Sequence, residues 1–261
     1  MVNGTSGISI TFRDDPPHET AIVSARMPRL SARMTYDLYI GDRTFSSWSV
    51  RGWLMLEKFN LPYQAHLVGL YGGTMAQEMA DLAPAVLVPA LRTPEGTVVG
   101  ESLAIAETLA ERHPEAGLWP QDAADRAAAR WLCSAMTAGF GALRDACPMQ
   151  LQHVNEGFSV SDAVQKDLDR LEVLWQHAWD SRTEDGPWLF GAYSLADAFY
   201  APISARIVGY DLPVSDAARR YCETTINDPA FKAWRAEGLK VTYDPFPYDM
   251  GVPIKSWPVA D

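Results

Sequence analysis

The chain has 261 residues, 48% of them hydrophobic, and a formal net charge of −11. That is enough apolar material for a full core and, at this length, for two domains. The acidic balance, with no run of Lys or Arg, argues against nucleic acid or an anionic membrane as main partner, and no stretch approaches the roughly 20 apolar residues that span a bilayer.

Three cysteines, Cys133, Cys147 and Cys222, with no CxxC pair, read as reduced thiols of a cytoplasmic protein. Residues 1–34 hold Asp14-Asp15-Pro16-Pro17, scattered Arg and no sustained periodicity, so they are expected to be a disordered or loosely attached extension. ISITF is too short for the apolar core of a signal peptide. Met27 and Met34, just ahead of the first strand, offer later starts.

From Thr35 the elements follow in order. TYDLYI puts Tyr36, Leu38 and Ile40 on one face of a strand, and VRGWLMLEKF predicts a buried helix over 49–59 that stops at Asn60. YQAHLVGL, Tyr63 to Leu70, predicts a second strand, parallel to the first through a right-handed crossover. GLYGGTMAQEMADLAP reads as one short irregular helix. VLVPALRT and TVVG, joined by Pro94-Glu95-Gly96, predict an antiparallel hairpin. ESLAIAETLAERH then reads as an amphipathic helix with Leu103, Ala106 and Leu109-Ala110 on one stripe. This order resembles the thioredoxin-like fold.

Three places in this half carry chemistry. In FSSWSVR, serines crowd the helix entrance, where one N-cap would suffice and where unpaired backbone N–H groups favour a negative charge. Pro89 heads a strand, and the resemblance to thioredoxin-like proteins implies a cis Val88–Pro89 bond whose preceding backbone groups would pair with a peptide ligand. Glu101 and Ser102 open a helix. Besides dipole and capping roles, they suit a zwitterionic head, Glu101 facing an α-ammonium and Ser102 with the backbone an α-carboxylate.

The second half is helical. LWPQD is a linker ending at Asp122, an N-cap for a long helix over 122–147 closed by Pro148. SDAVQKDLDRLEVLWQHAW aligns Val164, Leu168, Leu171, Leu174-Trp175 and Ala178, and Ser194-Leu-Ala-Asp197 reads as a capping box that nucleates a core helix. The Pro-rich aromatic tail either folds over this half or stays loose.

SSWSVR, VPAL, ESLAIAETLAERHP, LWPQDAADRAAAR and SLADAF resemble a cytosolic glutathione transferase, over about residues 35 to 240. That resemblance implies an α/β N-terminal thioredoxin-like domain (35–115) plus an all-α C-terminal domain (122–245), with 246–261 as a tail. It also implies glutathione as co-substrate and a homodimer. The serine spacing is similar to the zeta-like and serine-type classes, whose turn reads SSCS followed by a residue and Arg. Aligned on Arg51, Ser46 and Ser47 fall on the paired serines, and Trp48 falls on the cysteine. The departure at Trp48 weighs against isomerase and disulfide-reductase readings.

The resemblance thus implies Ser47 or Ser46, with Ser47 favoured by its spacing to Arg51, as donor to the glutathione thiolate. Val88, Pro89, Glu101 and Ser102 would hold the peptide, and Trp48 with helix 122–147 would wall an electrophile pocket between the halves. The chain lacks a phosphate loop, a GxGxxG after a strand, HExxH and GxSxG, and the resemblance implies a metal-free glutathione transferase acting on a small hydrophobic electrophile. The alternatives are a glutathione-dependent lyase, dehalogenase or isomerase, and a non-catalytic transferase-like binding or regulatory protein.

Overall fold

The structure, a computed structural model, describes residues 35–240 and 249–258. The expectations for residues 1–34 and for a boundary near residue 245 lie outside the described residues.

Strand β1 (Tyr36–Ile40) buries Tyr36, Leu38 and Ile40 completely, as alternation requires. Helix α1 (Ser47–Glu57) and strand β2 (Tyr63–Leu67) complete the crossover, and β2 runs parallel to β1 with Ala65 opposite Leu38. The helix starts and stops two residues before the expected 49–59, because Ser46 caps it and Lys58 closes it. The irregular segment contains α2 (Met75–Glu78) and a 3-10 turn at Ala80–Leu82. Strands β3 (Ala90–Arg92) and β4 (Val98–Val99) form the hairpin, and β3 lies antiparallel to β1, giving the order β2-β1-β3-β4. Helix α3 (Ser102–Arg112) buries Ser102, Ile105, Ala106 and Leu109, whereas Leu103 and Ala110 are only half-buried. The sheet therefore meets a face rotated from the expected stripe.

In the helical half, α4 (Ala123–Ala138) starts on the Asp122 carboxylate, which accepts from the N–H groups of Ala124 and Asp125. The single helix expected over 122–147 is broken. Gly139 is extended, Phe140 takes a left-handed φ of 61°, and α5 (Gly141–Ala146) starts after them. A Cβ at Gly139 would stand 2.8 Å from the Ala135 carbonyl oxygen, so the break needs glycine there. Strand β5 (His153–Asn155) precedes α6 (Asp162–Ser181), which is capped by Ser161 and buries the whole expected stripe.

Helix α7 (Leu195–Gly209) is buried along its full length and forms the centre of the molecule. Helix α8 (Asp216–Asn227) packs on it, and α9 (Pro229–Gly238) packs on α8 and α1. The all-α half also holds a strand pair: β5 pairs antiparallel with β6 (Ile254–Ser256), which folds this part of the tail over the core and buries Trp257.

Two sets of contacts join the halves at the β1–α1 turn. Helix α1 packs on α7. Thr44 Oγ1 donates to the Gly238 carbonyl at 2.6 Å, and Trp234 Nε1 donates to the Arg43 carbonyl at 2.7 Å. The turn that carries the serines is therefore clamped from the helical side.

Candidate active site

A cavity of about 370 Å³ opens where the α1 entrance, the Val88–Pro89 segment and the start of α3 converge. Ser46, Trp48, Val88, Pro89, Glu101 and Ser102 all line it. The sequence did not reveal its apolar rim of Leu70, Met75 and Leu87, which comes from the glycine-rich segment and the chain before Pro89. Ser47 is the first residue of α1 and is half-buried, but it is not among the lining residues. No residue of 122–147 lines the cavity either, so the expected wall from that helix is not found there.

Ser46 is an N-cap: its Oγ accepts the Ser49 N–H at 3.3 Å. It also shares a hydrogen bond at 2.8 Å with the Ser49 hydroxyl, which accepts the Gly41 N–H at 2.8 Å. Ser46 thus caps the helix and lines the cavity at once.

The corner at α3 is built differently from its sequence reading. Glu101 is the N-cap residue but makes no side-chain cap, and it holds φ 61°, ψ 124°, a conformation costly for a residue with a Cβ. Ser102 does not cap; it is 2% exposed, and its Oγ has no hydrogen-bond partner. This buried hydroxyl on a cavity wall thus has its donor and acceptor capacity unused. The exposed Glu101 carboxylate stands beside it.

Val88–Pro89 is cis, as expected, and so is Ala83–Pro84, which the sequence did not reveal. Strand β3 begins after Pro89, at Ala90. Helix α1 comes close to this segment because position 52 is glycine: a Cβ there would lie 2.7 Å from Pro89 Cβ.

Beside Trp48 lies a cluster of cations that the sequence pattern does not disclose. Arg51 is fully buried; its Nε donates to the Phe199 carbonyl at 2.9 Å, while Nη1 and Nη2 have no hydrogen-bond partner. Burial, then Arg206 and Arg144, push its guanidinium down to about 9. The guanidinium lies 4.2 Å from the Trp48 ring centroid, and that of Arg144 on α5 lies 5.4 Å from it. A charged residue inside an otherwise apolar helix was the available signal.

Cysteine chemistry is absent from this site. Cys133, Cys147 and Cys222 are all buried and free. Burial raises the Cys133 thiol well above its ordinary range and the other two to about 12.

The family model of the glutathione S-transferase N-terminal domain matches residues 45–112, which carry every lining residue of the cavity. A probable maleylacetoacetate isomerase of Caenorhabditis elegans is 32% identical over 203 residues, covering 75% of this chain and 91% of that protein. The chain belongs to the glutathione S-transferase family. Among solved structures of the family, maleylacetoacetate isomerase from Anaeromyxobacter dehalogenans, with glutathione bound in its active site, is 29% identical over 77% of this chain and 94% of its own, at a TM-score of 0.55. A glutathione transferase homolog from Burkholderia, also with bound glutathione, shares the fold at a TM-score of 0.59 and 22% identity, over 79% of this chain and 99% of its own. The relatives' names favour the isomerase alternative over plain conjugation, against the weight that Trp48 had placed on the other side.

Proposed function

We propose that this glutathione S-transferase family member binds glutathione in the cavity between Ser46 and the Glu101–Ser102 corner, and uses its thiolate on a small electrophile that carries a carboxylate. The observation that carries the reading is the unpartnered, buried Ser102 hydroxyl on the same cavity wall as Ser46 and Glu101. Glu101 would take the α-ammonium of the peptide, Ser102 its α-carboxylate, and Val88 its backbone.

Ser46 would donate to the sulfur, in place of the Ser47 favoured by spacing, because Ser46 lines the cavity and Ser47 does not. If a thiol of pKa about 8.5 falls by about two units, the thiolate fraction at pH 7 rises from about 3% to about 75%. A less basic thiolate is also less nucleophilic, and a Brønsted slope of about 0.4–0.5 removes roughly six- to tenfold of that gain. Most of the acceleration must then come from holding the electrophile beside the sulfur.

The Arg51 and Arg144 guanidiniums beside Trp48 support an anionic electrophile, since an acetoacetate carries a carboxylate. In the isomerase reading, the thiolate adds to a conjugated cis double bond and the resulting single bond rotates. Expulsion of the thiolate then yields the trans product and returns glutathione. No protein thiol takes part, because Trp48 occupies the place of cysteine in the resembled turn and the three cysteines are buried.

Glutathione stoichiometry decides between the readings. Incubated with a cis-olefinic keto acid, the protein should produce the trans isomer with no loss of glutathione. Stoichiometric consumption would make it a conjugating transferase, and failure to bind glutathione by calorimetry would overturn both.

A further inference from the structure

We infer that Ser49, which does not line the cavity, is a positioning residue that turns the Ser46 hydroxyl proton toward the sulfur of bound glutathione. The inference rests on the reading of Ser46 as thiolate donor. It follows from counting protons in a closed hydrogen-bond set. Ser49 is fully buried, and its Oγ accepts the Gly41 N–H at 2.8 Å. Ser46 Oγ lies 2.8 Å from Ser49 Oγ and accepts the Ser49 N–H at 3.3 Å. Each hydroxyl has one proton and two lone pairs, and the proton rotates to suit its neighbours.

Two arrangements exist. In the first, the sense in which the structure draws the bond, Ser46 donates to Ser49; both lone pairs of Ser49 are then used, and its own proton is buried with no acceptor, since no other acceptor meets this hydroxyl among the described residues. In the second, Ser49 donates to Ser46. Both lone pairs of Ser46 are then filled, by the Ser49 N–H and the Ser49 O–H, and the Ser46 proton alone remains unbonded. Ser46 is on the cavity wall, so its free proton costs little in water and gains a charge-assisted partner when a thiolate arrives. The first arrangement orphans a buried proton and the second, once a thiolate takes the Ser46 proton, orphans none, so bound thiolate favours the second.

The same arrangement fixes the position of the donor. The Gly41 N–H at the end of β1 anchors Ser49, and the Ser49 backbone and side chain both hold Ser46, so the sulfur donor is tied to the strand and to the first turn of α1 together. It also divides the serine-rich turn by role: Ser46 caps and donates, Ser49 orients, and Ser47 lines no part of the cavity.

The test is the ultraviolet thiolate titration of glutathione bound to the full chain. Ser46→Ala should raise the thiol pKa by about one to two units, the worth of one charge-assisted hydrogen bond. Ser49→Ala should produce at least half of that shift, Ser49→Thr should titrate like the wild type, and Ser46→Ala/Ser49→Ala should shift no further than Ser46→Ala. A Ser46→Ala shift with an unchanged Ser49→Ala titration overturns the positioning role and leaves the donor role standing. No shift in either variant overturns both. If Ser49→Ala does not fold, Ser49→Cys, a closer match in size with a weaker donor, carries the same readout: a raised glutathione pKa supports the role and an unchanged one overturns it.

Discussion

Arg51 Nε donates to the carbonyl of Phe199 at 2.9 Å, which ties the first helix of the thioredoxin-like half to the central helix of the other, 148 positions away. The rest of the guanidinium is buried without hydrogen-bond partners, and the Trp48 ring 4.2 Å away lies against it. Breaking a buried charge arrangement is costly, but replacing it with an apolar side chain of similar length often is not. Arg51→Met should therefore unfold in urea within about 1.5 kcal/mol of the wild type, while Arg51→Ala, which leaves a cavity, should lose about 2–5 kcal/mol. If the charge serves an anionic electrophile, Arg51→Met should also raise KM for carboxylate substrates more than for neutral ones. Equal changes for both classes would remove that role.

Ser102 gives a prediction of opposite signs for stability and binding. Its unmet buried hydroxyl carries a desolvation penalty of about 1–3 kcal/mol in the free protein. Ser102→Ala should hold or raise Tm without ligand while weakening glutathione by about tenfold or more, the value of one hydrogen bond to a charged group. Scanning calorimetry and titration calorimetry on the same preparation check both arms; a lower Tm with unchanged affinity would assign Ser102 to the fold alone.

At Gly52 two effects compete. Alanine in a helix interior is worth about 1 kcal/mol over glycine. Here its Cβ would meet Pro89 Cβ at 2.7 Å, and overpacking of that kind costs about 1–3 kcal/mol. The clash should win, so Gly52→Ala lowers Tm and, by pushing Pro89 into the cavity, weakens glutathione binding. A gain in Tm with normal affinity would show that α1 shifts freely against Pro89.

The Asp197 carboxyl gives a pH signature. Burial raises it to about 6, although the N–H groups of Leu189 and Ser194 and the Tyr221 hydroxyl all donate to it. Its folded pKa lies above its unfolded value, so the folded state binds the extra proton between about pH 4 and 6, and this group's contribution to stability grows as pH falls through that window. Wild type should gain on Asp197→Asn by at most about 3 kcal/mol between pH 7 and 4. A difference that stays flat or moves the other way would mean the donors hold the carboxylate charged throughout.

Much of this architecture is encoded locally. The six-residue buried stripe of α6, the Asp122 and Ser46 caps, the Pro94-Glu95-Gly96 hairpin and the Asp197 box depend on neighbours within a few positions, so periodicity and cap chemistry suffice to find them. The break at Gly139–Phe140 escaped because an Ala- and Leu-rich run stays helical in pattern while one glycine lets the chain turn. Pairing of β5 with β6 escaped because it joins short segments about a hundred residues apart.

The residue types of the site were legible in the same way: hydroxyls at a helix entrance, a proline before a strand, and a glutamate and serine opening a helix. Tertiary structure decided which of them face one another. Neighbouring helical residues point about 100° apart, so the choice of Ser46 over Ser47 depends on where Val88, Pro89 and the α3 corner stand, some forty to fifty-five positions later in the chain. The fully buried Arg51 beside Trp48, and the unmet hydroxyl of Ser102, likewise exist only once the halves pack, because burial belongs to the assembled fold and no local pattern contains it.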